Sequence, residues 1–277
     1  MNESKLVSVI ITTKNEEAAI GRLIESIKKQ TYKNLEVIMV DNFSEDKTAE
    51  IGKKSGIKVY SFGPERSSQR NFGAKHATGD YLLFVDADME LCPAVLQECV
   101  EVCKKGRQVG AVIIPERSIG NTFWEKVKAF ERSFYNLEGD SFTDAARFFT
   151  KEAFNATGGY DERITGPEDW DLPESVKNLG FKIGRIVSVI YHYERISSPL
   201  ALARKKFYYA LKSHRYLNKQ KISVFSPKTI YFLRPVFYKH YDKILSHPVL
   251  SLGMIIMLFL ELAGGGLGYI TGRIKKF

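Results

Sequence analysis

The chain has 277 residues, 44% hydrophobic and 26% charged, which excludes a disordered chain and allows one large core or one domain with an appendage. The net charge of +9 is lopsided: residues 1–199 carry 27 Lys/Arg against 30 Asp/Glu, whereas residues 200–277 carry 14 against 2. Cys92, Cys99 and Cys103 have neither zinc-site spacing nor an even count, and read as reduced, partly buried small residues.

Met1 is followed by polar residues and then a strand-like run, without a secretory h-region, so the catalytic part is expected in the cytoplasm. Val7–Ile11 reads as a buried strand, and Ile20, Leu23, Ile24 and Ile27 as one helical face. Leu35–Val40 is a strand, Thr48–Ser55 a helix closed by Gly56, and Ile57–Tyr60 a short strand. Ser67–Ala77 is a helix, Tyr81–Val85 a strand, Pro93–Cys103 a helix and Gly110–Ile114 a strand. This alternation predicts an α/β fold with a mostly parallel sheet and helices on both faces, whose ligands bind at the carboxyl ends of the strands. An aromatic helical stretch covers 121–138, a helix Asp169–Leu179, and a strand Ile183–Ile190.

After Pro199 the character changes. Residues 200–245 interleave Lys/Arg with Phe and Tyr, 246–272 are mostly apolar, and 273–277 are basic. Val249–Ile270, 22 residues long, has the length to cross a bilayer, but Glu261 and Gly264-Gly265-Gly266 interrupt it. Three readings stay open: a crossing helix, an interfacial helix, or a helix buried in the protein. The basic, aromatic stretch before it suits a headgroup zone, so a membrane surface is the expected partner and the cell membrane the expected location. A nucleic-acid-binding protein using that tail is the alternative from another class. The acidic first 199 residues and the adjoining apolar segment argue against it.

Asp86-Ala87-Asp88 directly follows the apolar run Leu82–Val85, and Glu90 lies two residues on. Carboxylates so close repel one another unless a cation sits among them, and hard oxygen ligands suit Mg²⁺ or Mn²⁺. A solvated surface loop is the bland alternative.

Several blocks together resemble the family 2 glycosyltransferases, which share the GT-A (Rossmann-like) fold. They are Val7–Glu17, Val40–Thr48, Arg70–Ala74, Ala77–Tyr81 leading into Asp86-Ala87-Asp88, Gly158–Glu162 and Gly166–Leu172. The resemblance covers about residues 6–195 and implies an inverting, metal-dependent transfer from a nucleotide-sugar donor. It implies that Asp41 accepts a hydrogen bond from the nucleotide base and that Thr12, Thr13, Asn15 and Glu16 line the nucleoside. Arg70 would lie near the base or the diphosphate. Asp88 would be the principal metal ligand, assisted by Asp86, with Ala87 between them in the donor site. The Asp86–Glu90 run is also similar to that of polyprenyl-phosphate mannose synthases, which makes Glu90 a candidate ligand. The family's usual first-turn aromatic is Lys14 here, and its usual acid and glycine after the second strand are Asn42 and Phe43.

By resemblance Asp169 is the general base, with Glu168 as runner-up; a helix cap is the alternative role. Trp170 offers a flat face to a sugar ring. His192 is a further candidate for the metal or the diphosphate, and Arg147 for a phosphate. The expected acceptor is a hydroxyl of a lipid-linked or membrane-proximal glycan. A polyprenyl phosphate, already ionised, would need no base.

Overall fold

The computed structural model describes residues 5–140 and 142–275; Lys276, expected to flank the apolar segment, and residues 1–4 lie outside them. The chain divides into two compact units, Met1–Pro115 with Ala145–Glu162 and Leu172–His192, and Glu116–Asp144 with Arg163–Asp171 and Tyr193–Phe277. This division does not follow the boundary expected at residue 199. The tail groups with two inner segments because their apolar residues, among them Val127, Phe130 and Ile164, share clusters with Phe237, Met254 and Tyr216.

The first unit begins with β1 (Val7–Thr13), α1 (Ile20–Lys28), β2 (Leu35–Asp41), α2 (Thr48–Lys54), β3 (Lys58–Ser61), α3 (Arg66–His76) and β4 (Tyr81–Asp86). It continues with β5 (Met89–Leu91), α4 (Val95–Lys105) and β6 (Val109–Ile113). The seven-stranded sheet takes in two further strands, β8 (Ala146–Thr150) and β9 (Lys182–Arg185), in the order β3-β2-β1-β4-β8-β6-β9. Only β8 is antiparallel to its neighbours, β4 and β6. Its burial pattern shows why it belongs inside: Ala146, Arg147, Phe148 and Phe149 are all buried.

Alternate residues of each strand feed opposite cores, as the two-residue period demands. Val7, Val9, Ile11, Leu83 and Val85 join α1 and α4 through Ile20, Leu23, Val95, Leu96 and the buried Cys99. Ile10, Ile38, Val40, Leu82 and Phe84 join Ala74 of α3 and Phe154 of α6 (Lys151–Thr157). Leu172 and Val176 of α7 (Glu168–Asn178) complete that second core. All three cysteines are free.

The strand expected over Ile183–Ile190 is two strands. β9 ends at Arg185, and β10 (Ile190–Tyr193) pairs antiparallel with β5 instead. The break is held by Glu98, whose carboxylate accepts from Val187 N at 3.0 Å, Ser188 N at 2.9 Å and Ser188 Oγ at 2.5 Å.

One carboxylate on β2 also fastens the loop before β4. Glu36 accepts from Ser8 Oγ at 2.7 Å, Thr78 N at 2.7 Å and Thr78 Oγ1 at 2.8 Å. Burial alone would raise its pKa from the usual 4.5, but these bonds and that from Lys58 outweigh it and hold the carboxyl at about 2. The stabilisation is present above pH 4.5 and is lost as pH falls towards 2. Glu36→Gln is expected to lower stability at neutral pH by about 1.5–3 kcal/mol. The gap to wild type should close on acidification, as read by denaturant unfolding across that pH window.

The second unit holds β7 (Glu116–Ile119), α5 (Phe123–Arg132), the first turn of α7, and the helices α8 (Pro199–Ala210), α9 (Ser213–Lys219), α10 (Pro235–Lys239), α11 (Tyr241–Ser246) and α12 (Pro248–Lys275). α5 opens with a capping box, in which the Thr122 side chain takes the Glu125 N–H and the Glu125 carboxylate takes that of Thr122. The Ser198 hydroxyl and Pro199 start α8 in the same economical way. Lys128 of α5 is buried between Glu131 and Glu261 of α12, 2.9 Å from each, and Lys206 of α8 reaches Glu261 at 3.3 Å. α8 and α12 run parallel at close range. A Cβ at Gly264, Gly268 or Gly272 would strike the carbonyl of Ala203, Phe207 or Leu211 in turn, so glycine every fourth residue is what permits the approach.

Candidate active site

The carboxyl ends of β1, β2 and β4 lie side by side, with Thr13 in register with Asp41 and Thr12 with Asp86. Two loops leave this edge and are sewn together. Asn15 N donates to Ser44 Oγ at 2.8 Å, Glu16 N to Thr48 Oγ1 at 2.7 Å and Glu17 N to Asp46 Oδ2 at 3.0 Å. The bonds return from Glu45 N to Asn15 Oδ1 at 2.9 Å and from Lys47 N to Glu17 Oε2 at 3.0 Å.

Asp41 is buried here. It accepts from Thr13 Oγ1 at 2.7 Å, Ser44 Oγ at 2.5 Å and Ser44 N at 2.8 Å. With two bonds on Oδ1 and one on Oδ2, a single acceptor position remains. Asn15 and Glu16 serve the same stitching, and Gln69 Nε2 bridges the carbonyls of Thr13 and Val40 at 3.2 and 2.8 Å. Phe43 follows at φ 51° and is 66% exposed. A bulky residue in the left-handed region is strained, and such strain collects at functional edges.

Asp86 ends β4 inside a basic ring. Its Oδ1 lies 3.1 Å from Arg70 Nη2 and accepts from Thr12 Oγ1 at 3.4 Å, and its Oδ2 lies 3.6 Å from Arg147 Nη1. Arg70 is 1% exposed and sits 5.0 Å above the Tyr160 ring. Burial would raise the Asp86 pKa, but Arg70, then Arg147, Arg66 and His192 outweigh it and hold the carboxyl far below the usual carboxylate range. Arg147 is delivered by the antiparallel run of β8 beside β4, which brings the start of β8 to the carboxyl edge.

Asp88 is two residues on and keeps different company. Its Oδ2 stands 3.5 Å from His192 Nε2, because β10 pairs His192 with Met89. Facing residues of an antiparallel pair share a face and alternate along the strand. Glu90 pairs with Tyr191, one step along from the His192–Met89 pair. The four candidates Asp86, Asp88, Glu90 and His192 are not gathered: among the described residues no three His, Cys, Asp or Glu form a metal-holding group. Asp86 is engaged by Arg70 and Arg147. Between Asp86 and Asp88, the methyl of Ala87 is buried in the first core.

The second unit holds the other candidates. α7 opens with three acids in its first turn, Glu168, Asp169 and Asp171. Glu168 and Asp171 are buried, and Asp171 takes Lys219 Nζ at 2.6 Å and Gln220 Nε2 at 2.8 Å. Asp169 alone of the three is half-exposed. Trp170 packs against Ile164, Tyr216 and Leu217, and its indole N–H donates to Thr143 O at 3.0 Å. Ser44, Arg66, Gln69, Tyr160 and Lys219 were not among the candidates; the polar run Arg66–Arg70 was a signal for Arg66 and Gln69 alone.

Residues 8–159 match the family described as Glycosyl transferase family 2. An uncharacterised glycosyltransferase of Rickettsia typhi is 27% identical over 98% of this chain and 90% of its own length. The amylovoran biosynthesis glycosyltransferase AmsB of Erwinia amylovora is 27% identical over 69% and 70%. Among solved structures, a mannosyltransferase from Pyrobaculum calidifontis in complex with GDP-Man and Mn²⁺ superposes with a TM-score of 0.62 at 17% identity, covering 100% of this chain and 82% of that one.

Proposed function

Because the chain belongs to glycosyl transferase family 2, we propose that it moves a sugar, with inversion, from a nucleoside-diphosphate donor to a hydroxyl of a lipid-linked or membrane-proximal glycan. The observation that carries the donor side is the partition of the two loop acids, Asp86 within arginines and Asp88 beside His192. Asp88 Oδ2 and His192 Nε2 are as close as two ligands of one octahedral cation, and a carboxylate with an imidazole fits Mn²⁺ or Mg²⁺. A cation held there supplies charge neutralisation for the departing nucleoside diphosphate. Arg70 and Arg147 give the same edge a fixed positive potential that orients the diphosphate. Thr12, Thr13 and Asp41 hold the floor of the nucleoside pocket. Asp169 removes the acceptor proton. Its accessibility beside two buried acids supports it over Glu168.

The exposed Phe43 ring is the stacking surface for the nucleobase. Phe43→Gly should relieve the left-handed backbone and raise the thermal midpoint. It should also weaken nucleoside-diphosphate binding by roughly ten- to a hundredfold, the usual worth of base stacking. Titration calorimetry beside thermal unfolding reads the two opposite signs. Unchanged affinity removes Phe43 from the site.

The transfer reading is tested by donor turnover across a panel of nucleotide sugars with Mg²⁺, with Mn²⁺ and with excess chelator. Turnover of one donor, lost in chelator, is expected. Full activity in chelator overturns the metal assignment, and no turnover of any donor overturns the nucleotide-sugar reading.

A further inference from the structure

We propose that α12 lies in the plane of an anionic membrane surface, with its outer stripe embedded, and does not cross the bilayer. The inference rests on the membrane-surface reading above and not on the transfer chemistry.

The stripe of α12 that the protein leaves exposed consists of Val249, Leu252, Ile255, Ile256, Phe259, Ala263, Gly266, Leu267, Ile270 and Ile274. Steps of three and four keep these on one face, and none carries a charge. At 1.5 Å per residue the stripe runs about 37 Å. Along the body of α12 the polar side chains of Ser251 and Glu261 are buried, as are the close-packing Gly268 and Gly272, and the exposed charges, Arg273 and Lys275, stand only at its last turn. An ordinary surface helix has the reverse arrangement, apolar in and polar out. Water is thus the wrong solvent for this face.

The buried side decides between crossing and lying flat. Val127 of α5 meets α12 at Gly253, Lys128 meets it at Glu261, and α8 follows it from Gly264 to Gly272. That contact spans 20 residues, about 28 Å, close to the whole hydrocarbon thickness of a bilayer. If α12 crossed, α5 and α8 would have to enter with it. They would carry Lys126, Arg132, Arg204 and Lys205 into lipid, where charges are expensive and unsatisfied groups are not tolerated. Lying flat leaves those helices on the aqueous side and embeds the apolar stripe alone.

Charge identifies the surface. Residues 200–277 carry 14 Lys/Arg against 2 Asp/Glu, and Arg273 and Lys275 are exposed at the end of the stripe. Before it, α10 and α11 expose Tyr238, Tyr241 and Leu245 beside Lys239. Aromatic residues with lysines at the edge of an apolar stripe match the headgroup layer of anionic lipid.

The test uses the full chain without any donor. Flotation with phosphatidylcholine vesicles, with and without phosphatidylglycerol, should recover the protein mainly with the anionic set. Ile256→Asp with Phe259→Asp should release it while leaving cooperative unfolding unchanged. Binding unaffected by that pair, or no binding to either vesicle, overturns the proposal. Sidedness is read separately in inside-out membranes of an expression host. There, Ser246→Cys and Arg273→Cys are each placed in a background of Cys92→Ser, Cys99→Ala and Cys103→Ala. Both positions should react with an impermeant thiol reagent. Reaction at one end alone means that α12 crosses. Should the cysteine-free background fail to fold, alkaline carbonate extraction of host membranes carrying the native chain decides: release into the supernatant is expected of a surface-bound α12, and retention in the pellet means that α12 crosses.

Discussion

Asp88→Asn should reduce sugar transfer by roughly 10³-fold or more while leaving the protein folded, since loss of a metal's charge stabilisation removes several kcal/mol from the transition state. The substitution keeps the size and one carbonyl oxygen but deletes the anionic ligand. Metal-dependent donor binding should weaken with it. Asp86→Asn makes the informative contrast, although it lies only two residues away. Asp86 compensates the buried Arg70 and Arg147, and breaking a buried pair from one side costs about 3–5 kcal/mol. That variant should lose its thermal midpoint first and its activity as a consequence. Single-turnover transfer, donor affinity with and without Mn²⁺, and thermal unfolding on both variants separate a ligand from a structural counter-ion. An Asp88→Asn enzyme with normal turnover would refute the assignment.

Asp169→Asn should slow transfer by roughly 10²–10⁴-fold, the usual contribution of a positioned general base. Asparagine preserves the side-chain oxygen that could cap α7 but cannot accept the proton. Donor affinity should hardly change. Asp171→Asn serves as its control, because Asp171 is buried and tied to Lys219 and Gln220. Its loss should lower stability before turnover. If Asp169→Asn runs at the wild-type rate, the nucleophile arrives already ionised, and a polyprenyl phosphate replaces the hydroxyl as acceptor. Lost donor affinity would instead move Asp169 to the donor side.

Periodicity was enough for β1, β2, β4 and the helices between them, because long apolar runs alternate there with amphipathic stretches. It failed for short elements defined by partners distant in sequence. β8 is five residues long, and nothing local says that Phe148 and Phe149 sit beside Leu83 and Leu82 in antiparallel register. The split of β9 from β10 is set by Glu98, some ninety residues upstream of the backbone it binds. The candidate site divides in the same way. The place of Asp86 and Asp88 at the sheet edge was legible because an acidic loop follows a buried apolar strand, whereas Asp41 was singled out by the family resemblance alone. The partition of Asp86 to arginines and Asp88 to histidine was not legible, since two antiparallel pairings create it.

The reciprocal stitches between residues 15–17 and 44–48 bear on how fast the enzyme captures its donor. Loops that order only when a nucleotide arrives lose conformational entropy in the bound state and slow the encounter with a rearrangement step. Here that entropy is lost during folding. Donor capture should therefore be a single fast kinetic phase, with a heat-capacity change no larger than the apolar area of the base and sugar accounts for. Thr48→Val, which removes the hydroxyl under Glu16 N, would hand the ordering back to the binding step. A second, slower phase would then follow the first.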